Sequence, residues 1–236
     1  SFPICFASKF FNIPLVIYEN NMVLGRANKY LALFSKKILV AKKIAVNFPE
    51  KYKDKTFEVG SILDKNIINY SISKKNNNKE NFSILVLGGS QGAAIFGKII
   101  PPVIKMIKNQ GYEIKIIQQC VMSQKSSIVD FYEKNNIKNY VFEFDKNILE
   151  LILSSNLAIT RCGASTTAEL VQTLTPFIAV PLPHSIDNHQ YLNAKYYENK
   201  GCCWVLEQNN FNTENVFSLV IETIENKNKL ENIREN

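Results

Sequence analysis

The chain has 236 residues, a length that suggests one large domain or two small ones. Its 46% hydrophobic and 21% charged residues exclude disordered, collagen-like and coiled-coil chains. The formal charge of +7 comes from Lys scattered along the chain with only Arg26, Arg161 and Arg234 beside it, and from a general drift toward Lys, Asn and Ile. That pattern argues against a nucleic-acid binder, which favours Arg for bidentate contacts, and leaves a basic face toward anionic lipid as the sharper alternative.

The five Cys are odd in number and form no C-x-x-C pair, so reduced buried thiols are expected rather than a disulfide framework. No run approaches the length of a membrane-spanning helix. The start at Ser1 lacks both Met and signal-peptide features, and a fragment of a longer chain is expected.

In chain order, Pro14-Leu-Val-Ile-Tyr18 and Lys37-Ile-Leu-Val-Ala41 read as strands, with helical spacing over Leu24 to Phe34 between them. The polar, aperiodic stretch Lys74 to Asn81 reads as a linker. Beyond it strands alternate with helices: strand Ser83–Leu87, helix Ala93–Asn109, strand Glu113–Ile117, helix Gln124–Asn135, strand Tyr140–Phe144 and helix Lys146–Leu153. The alternation continues with strand Leu157–Thr160, helix Ala164–Leu174, strand Phe177–Val180, helix Asn188–Asn199, strand Cys203–Leu206 and helix Thr213–Glu225. Continuous apolar strands separated by helices imply right-handed crossovers and a parallel sheet covered on both faces. The expected division is a partial N-terminal Rossmann-like domain over 1–73, a linker over 74–81 and a complete doubly wound domain over 82–236.

Ligands of such sheets bind outside the carboxyl ends of the strands, and four segments there carry chemistry. Gly88-Gly-Ser-Gln-Gly-Ala93 joins a buried strand to a helix, as a phosphate-binding turn does, or as a tight connection that binds nothing does. It is neither G-x-G-x-x-G nor a P-loop, and the following strand ends in Gln118-Gln119 where a dinucleotide site has an acidic residue. In Thr160 to Glu169, the spacing of Thr166 and Glu169 fits a capping box. It equally fits a carboxylate in the first helical turn that receives a ribose diol, with Ser165 and Thr166 capping or meeting a phosphate.

In Pro181 to Gln190, Asp187, Asn188, His189 and Gln190 suit a polyol. Asp187 or Asn188 also suits a helix N-cap, and His184, Asp187 and His189 make a less favoured metal set. Asn21, in Glu19-Asn-Asn21, reads a substrate or makes an Asx-turn.

The four segments, in this order, resemble the murein glycosyltransferase (MurG) family over nearly the whole chain. Tyr18-Glu-Asn-Asn-Met-Val-Leu-Gly-Arg-Ala-Asn28 resembles its H-E-x-N-x-x-x-G-x-x-N segment, and Val86 to Ala93 its second glycine loop. Arg161 to Glu169 resembles its R-S/A-G-A-x-T-x-x-E signature, and Pro181 to Ala194 its segment that begins P-x-P and closes on Asn-Ala. The resemblance implies an α/β fold of GT-B type, with two facing Rossmann-like doubly wound domains, the N-terminal one incomplete here. It implies inverting transfer of N-acetylglucosamine from UDP-N-acetylglucosamine to the C4 hydroxyl of undecaprenyl-pyrophosphoryl-N-acetylmuramyl-pentapeptide, a step of peptidoglycan synthesis.

The implied donor set is Asn21, Ser90, Gln91, Asp145, Ala164, Ser165, Thr166, Thr167, Ala168, Glu169, Asp187 and Gln190. Ser90 and Gln91 meet phosphates or sugar, the backbone near Asp145 the uracil, and Glu169 the ribose. Asp187 and Gln190 hold sugar hydroxyls, and Asn21 faces the donor sugar or acceptor from across the cleft. No tightly bound cofactor and no metal are implied. The partners are the donor, the lipid-linked acceptor and the cytoplasmic face of the bacterial inner membrane, where the family sits as a peripheral protein. Phe10 and Phe11, beside Lys9, either belong to that membrane-facing patch or pack in the core.

The chain departs from the family at three points. It has no counterpart of the N-terminal glycine loop whose His is the favoured base, Asp64 in Gly60-Ser-Ile-Leu-Asp64 stands where the family has Arg, and the closing C-terminal helix is missing. The rival expectations are a non-catalytic UDP-sugar-binding remnant and another UDP-sugar glycosyltransferase or epimerase of the same fold.

Overall fold

Consecutive apolar residues without alternation, as in Ile84-Leu-Val-Leu87, suit a strand covered on both faces, and the chain builds its larger sheet from such strands. The computed structural model describes residues 2–42, 48–68, 82–89 and 94–235. The stretch 74–81, expected as a linker, and Ser90 and Gln91 lie outside the described residues.

After helix α1 (Phe2–Phe10), strands β1 (Val16–Glu19), β2 (Lys37–Val40) and β3 (Thr56–Glu58) form a parallel three-stranded sheet in that order. Helix α2 (Arg26–Leu31) connects β1 to β2, a 3-10 turn over Glu50–Lys55 precedes β3, and the short helix α3 (Lys65–Ile68) follows. A small cluster around Ile17, Leu31, Ile38, Val40 and Tyr52 is the core of this layer.

The second sheet contains β4 (Phe82–Leu87), β5 (Ile114–Gln119), β6 (Lys138–Phe142), β7 (Leu157–Thr160), β8 (Phe177–Ala179) and β9 (Cys203–Val205). Its spatial order is β6-β5-β4-β7-β8-β9, all parallel. Numbered within the sheet this is 3-2-1-4-5-6, the doubly wound order of dinucleotide-binding folds. Helices α4 (Ala94–Asn109), α5 (Met122–Lys134) and α9 (Thr213–Glu225) contribute to the core on one face. Helices α6 (Ile148–Leu153), α7 (Ala164–Gln172) and α8 (His189–Glu198) cover the other. Helix α10 (Lys227–Glu235) closes the described chain against α9.

Several expectations are corrected. The strand expected over Tyr140–Phe144 runs instead over Lys138–Phe142, because the chain turns at Glu143 and leaves Phe144 exposed. Helix α7 ends at Gln172 rather than Leu174. Leu174 takes φ 50, and the Thr175 N–H then donates to the Leu170 carbonyl, a helix-ending turn of Schellman type built without glycine. Helices α1, α3 and α10 and strand β3 were not expected. Their periodicity is short, and β3 has only three residues. All five Cys are free and buried, as expected, and burial raises the thiol pKa of Cys120, Cys162, Cys202 and Cys203.

Candidate functional site

In the 3-2-1-4-5-6 order the chain reverses direction across the sheet between β4 and β7, so their carboxyl ends open a crevice. On the β4 side Gly89 has φ +77, a conformation that suits glycine. The Gly88 N–H donates to Gln119 Oε1 at 3.0 Å, and Gln119 Nε2 donates to the Glu143 carbonyl at 3.0 Å. Gln119 thus ties the ends of β4, β5 and β6 together at the position where a dinucleotide site carries its acidic residue. The residues before α4 belong to the undescribed 90–93 stretch.

On the β7 side α7 begins at Ala164 with Gly163 as its N-cap and no side-chain cap. The capping-box reading is therefore corrected: Thr166 lies inside the first turn, and Glu169 lies in the second turn rather than the first. The first bond of this helix runs from the Thr167 N–H to the Gly163 carbonyl, so the N–H groups of Ala164, Ser165 and Thr166 have no partner within the helix. A Cβ placed on Gly163 would meet nothing within 4 Å. Free N–H groups, a favourable dipole and open space together can receive an anion.

Of the candidate run, Thr167 and Ala168 are buried, and the Thr167 hydroxyl lies within hydrogen-bonding distance of the Gly163 and Ala164 carbonyls. Their side chains do not line the crevice. Ser165 is exposed, and Ala164, Thr166 and Glu169 are half-buried.

Burial raises the Glu169 pKa above the ordinary carboxylate value, and the negative charge of Asp64 raises it further. Asp64, ahead of the short α3 that packs on α7, caps α3 by accepting from the Asn66 N–H at 2.8 Å. A carboxylate rather than a guanidinium therefore stands next to Glu169.

The loop after β8 forms the third side. His184, Asp187 and Asn188 all have positive φ, at 56°, 53° and 54°. Asn188 is the N-cap of α8, but its side chain makes no capping bond. Gln190 Oε1 accepts from the Cys162 N–H at 3.2 Å and the Leu182 N–H at 3.0 Å, fastening this loop to the start of the α7 segment. Asp187 Oδ2 is buried without a hydrogen-bond partner, a state that costs roughly 1–3 kcal/mol until a donor arrives. His184, Asp187 and His189 are not grouped as metal ligands. Arg161 braces the floor, donating to the Val180 and Pro181 carbonyls and to Gln208 Oε1, with its guanidinium over the Phe96 ring.

The three-stranded layer supplies the opposite wall. Its centre is Glu19, buried at the end of β1. Glu19 Oε1 accepts from the Asn21 N–H and Asn21 Nδ2, and Oε2 from the Gly25 N–H and Asn28 Nδ2. Four donors on one carboxylate explain the Glu19, Asn21, Gly25 and Asn28 spacing physically. Asn193 then crosses the crevice: its Oδ1 accepts from the Met22 N–H, and its Nδ2 lies within hydrogen-bonding distance of Asn21 Oδ1 and the Cys162 carbonyl. Asn21 therefore sits across the cleft as expected, but its amide is held by Glu19 and Asn193. Asn20 Nδ2 also reaches Ser165 Oγ at 3.3 Å.

Asp145 lies apart, beyond β6. Its carboxylate accepts from the Asn147 N–H and the Tyr140 hydroxyl, and these bonds lower its pKa. Ser165, Glu169, Asp187, Gln190 and Asn21 are thus brought around one crevice. Glu19, Asn193, Gln119 and Arg26 were not singled out as functional, although the spacing from Glu19 to Asn28 already held the Glu19 signal.

Residues 83–236 match the glycosyltransferase family 28 C-terminal domain. A curated relative from Rickettsia felis (strain ATCC VR-1525 / URRWXCal2), named UDP-N-acetylglucosamine--N-acetylmuramyl-(pentapeptide) pyrophosphoryl-undecaprenol N-acetylglucosamine transferase, is 39% identical over 98% of this chain and 66% of its own length. A protein of the same name from Rickettsia prowazekii (strain Madrid E) is 37% identical over 98% of this chain and 68% of its own. The chain therefore spans about two thirds of the length of the curated relatives it matches. Among solved structures, Acinetobacter baumannii MurG superposes with a TM-score of 0.78 at 24% identity, covering 98% of this chain and 64% of that one. At that identity the likeness shows the fold, which is of GT-B type.

Proposed function

The chain belongs to glycosyltransferase family 28, and we propose that it binds UDP-N-acetylglucosamine in the β4–β7 crevice and serves the transfer of N-acetylglucosamine to undecaprenyl-pyrophosphoryl-N-acetylmuramyl-pentapeptide. The observation that carries this reading is the position of the α7 N-terminus and Glu169 at the switch point of a 3-2-1-4-5-6 sheet. The name shared by relatives 37–39% identical supplies the substrate class.

In this reading Ser90 and Gln91 meet the diphosphate, as the family resemblance implies, and the diphosphate lies against the free N–H groups of Ala164, Ser165 and Thr166. Glu169 accepts from the ribose diol, and the backbone near Asp145 meets the uracil. Asp187 Oδ2 accepts from one sugar hydroxyl and Gln190 Nε2 donates to another, and Asn21 closes the sugar from the opposite wall. Thr167 and Ala168 support this set through the helix backbone alone. Transfer is a single displacement. The C4 hydroxyl of the muramyl acceptor attacks the anomeric carbon and releases its proton to solvent, the bond from that carbon to the UDP oxygen breaks with its electron pair leaving on UDP, and the configuration inverts. Negative charge then grows on the departing diphosphate, where aligned N–H groups and a helix dipole stabilise it.

The membrane reading rests on a different observation. No helix among the described residues is long and apolar enough to cross a membrane. Phe10 and Phe11 are 83% and 69% exposed beside Lys9, which supports the membrane-facing reading over packing in the core. We place this face against the anionic cytoplasmic leaflet, as a peripheral contact.

Calorimetric titration with UDP-N-acetylglucosamine, UDP and UDP-glucose tests the donor site. Binding of the UDP ligands is expected, with loss of about tenfold or more in Glu169→Ala, on the scale of one charge-assisted hydrogen-bonded site. Failure to bind UDP at millimolar concentration, in a chain whose circular dichroism shows it folded, overturns the reading.

A further inference from the structure

Arg26 and Asp187 form the ion pair that joins the three-stranded layer to the loops of the six-stranded sheet. Arg26 Nε donates to Asp187 Oδ1 at 3.4 Å. The other ion pairs among the described residues stay within one half. Each end of the bridge is set by its backbone. Arg26 is the first residue of α2 and follows Gly25, whose N–H is fixed on the buried Glu19 carboxylate. Asp187 and Asn188 take successive left-handed conformations, which turn the loop at the crevice.

The two oxygens of Asp187 are therefore unequal. Oδ1 faces a cation from the opposite wall, while Oδ2 is buried and has no partner. A buried acceptor oxygen without a partner calls for a hydroxyl or N–H donor. A carboxylate held on one oxygen by a cation cannot turn freely, so the other oxygen is presented in a fixed direction.

We propose that Arg26 is a positioning residue for the donor sugar: it reaches from the three-stranded layer and fixes the Asp187 carboxylate so that Oδ2 meets a sugar hydroxyl. The inference rests on the reading of the crevice as a UDP-sugar site. It makes sugar recognition depend on the Arg26–Asp187 contact between the two halves, a contact on which recognition of the UDP part does not depend.

The test is calorimetric titration of the 236-residue chain and its variants with UDP and with UDP-N-acetylglucosamine. The readout is the ratio of the two affinities. The Arg26 side chain is 72% exposed, so its replacement leaves the fold intact. Arg26→Ala is expected to lower the affinity for UDP-N-acetylglucosamine by about three- to tenfold and to leave that for UDP unchanged. Arg26→Lys restores most of the loss, because one donor and one charge suffice. Asp187→Asn lowers the ratio at least as much, and adding Arg26→Ala to it brings no further loss.

An unchanged ratio in Arg26→Ala, or equal weakening of both ligands, overturns the positioning role and leaves the donor site standing. An unaltered chain that binds UDP but gains nothing from the sugar also overturns it. Absence of UDP binding removes the donor reading and the positioning role together.

Discussion

The two sheets of this molecule solve the burial problem to different degrees. In the six-stranded sheet Ile84, Leu85 and Val86 are fully buried, and apolar clusters fill both faces under helices. In the three-stranded sheet one small cluster around Ile38 is the core, while Val16 and Phe57 remain exposed. Polar contacts join the smaller layer to the larger: Asn20 to Ser165, Met22 to Asn193, Arg26 to Asp187, and Lys42 over the Tyr196 and Tyr197 rings. The crevice lies where these contacts join the two layers.

The largest effect separates the two cores. Phe96 is fully buried against Phe211 and beneath the Arg161 guanidinium. Phe96→Ala should cost about 3–5 kcal/mol and lower hydrogen-exchange protection throughout the six-stranded half. Ile38→Ala, also at a fully buried position, should lower protection over residues 16–58 and leave β4 to β9 protected. Equal loss of protection in both halves for both variants would show a single cooperative unit and break the comparison.

The next effect lies at the Glu19 clasp. Its carboxylate receives two donors on each oxygen. Glu19→Gln sets an amide NH2 against two of those donors, with an expected loss of about 2–4 kcal/mol confined to the smaller layer. Denaturant unfolding monitored at the single Trp204, which sits in the six-stranded sheet, should show a main transition unmoved relative to that of the unaltered chain. A shifted Trp204 transition would mean that the clasp supports both halves.

The same contrast sets what could be read from the sequence. The alternation after residue 82 exposed the larger sheet, because most of its strands carry buried apolar runs with a helix after them; β6, with Lys138 and Tyr140 exposed, is the strand whose bounds shifted. The order 3-2-1-4-5-6 came only with the structure, since strand order depends on which face each crossover takes. Thr166 and Glu169 matched both a capping box and a first-turn carboxylate, and the helix start at Ala164, which depends on where the chain leaves β7, removes the box and moves Glu169 to the second turn. Gln119, Asn193 and Arg26 were not legible. Each acts through a partner far away in sequence, such as Glu143, Met22 or Asp187, and no local pattern announces such a contact.

A pH titration sharpens the comparison at the crevice. Glu169 has its pKa raised from 4.5 by burial and by Asp64, so it becomes protonated at a higher pH than an ordinary carboxylate. A protonated Glu169 accepts poorly from a ribose diol, so affinity for UDP should fall as pH drops from 7 through that raised value. Asp64→Asn should move the midpoint down, and Glu169→Ala should abolish this component. For stability the sign is opposite. The fold favours the protonated group, so its contribution is present at low pH and is lost as pH rises through the folded-state pKa. A midpoint that does not respond to Asp64→Asn would show that burial alone sets this pKa and that the segment ahead of α3 has no electrostatic part in the donor site.

The smallest effect on stability belongs to two exposed aromatics of the first helix and the turn after it. Phe10 and Phe11 touch each other edge-on at a centroid distance of 5.2 Å and are otherwise largely open to solvent, in the half that buries least. Phe10→Ser should therefore change folding stability by less than about 0.5 kcal/mol. A ring that enters the interface of an anionic bilayer gains by burial there, so the same change should weaken adsorption to phosphatidylglycerol vesicles several-fold, and Phe11→Ser should do the same. If Phe10→Ser instead costs more than about 1 kcal/mol of stability, the ring is covered by protein in solution and the smaller layer buries more than its own core cluster accounts for. If stability and adsorption are both unchanged, the face carries no contact of its own, and the docking of the smaller layer rests on the crevice alone.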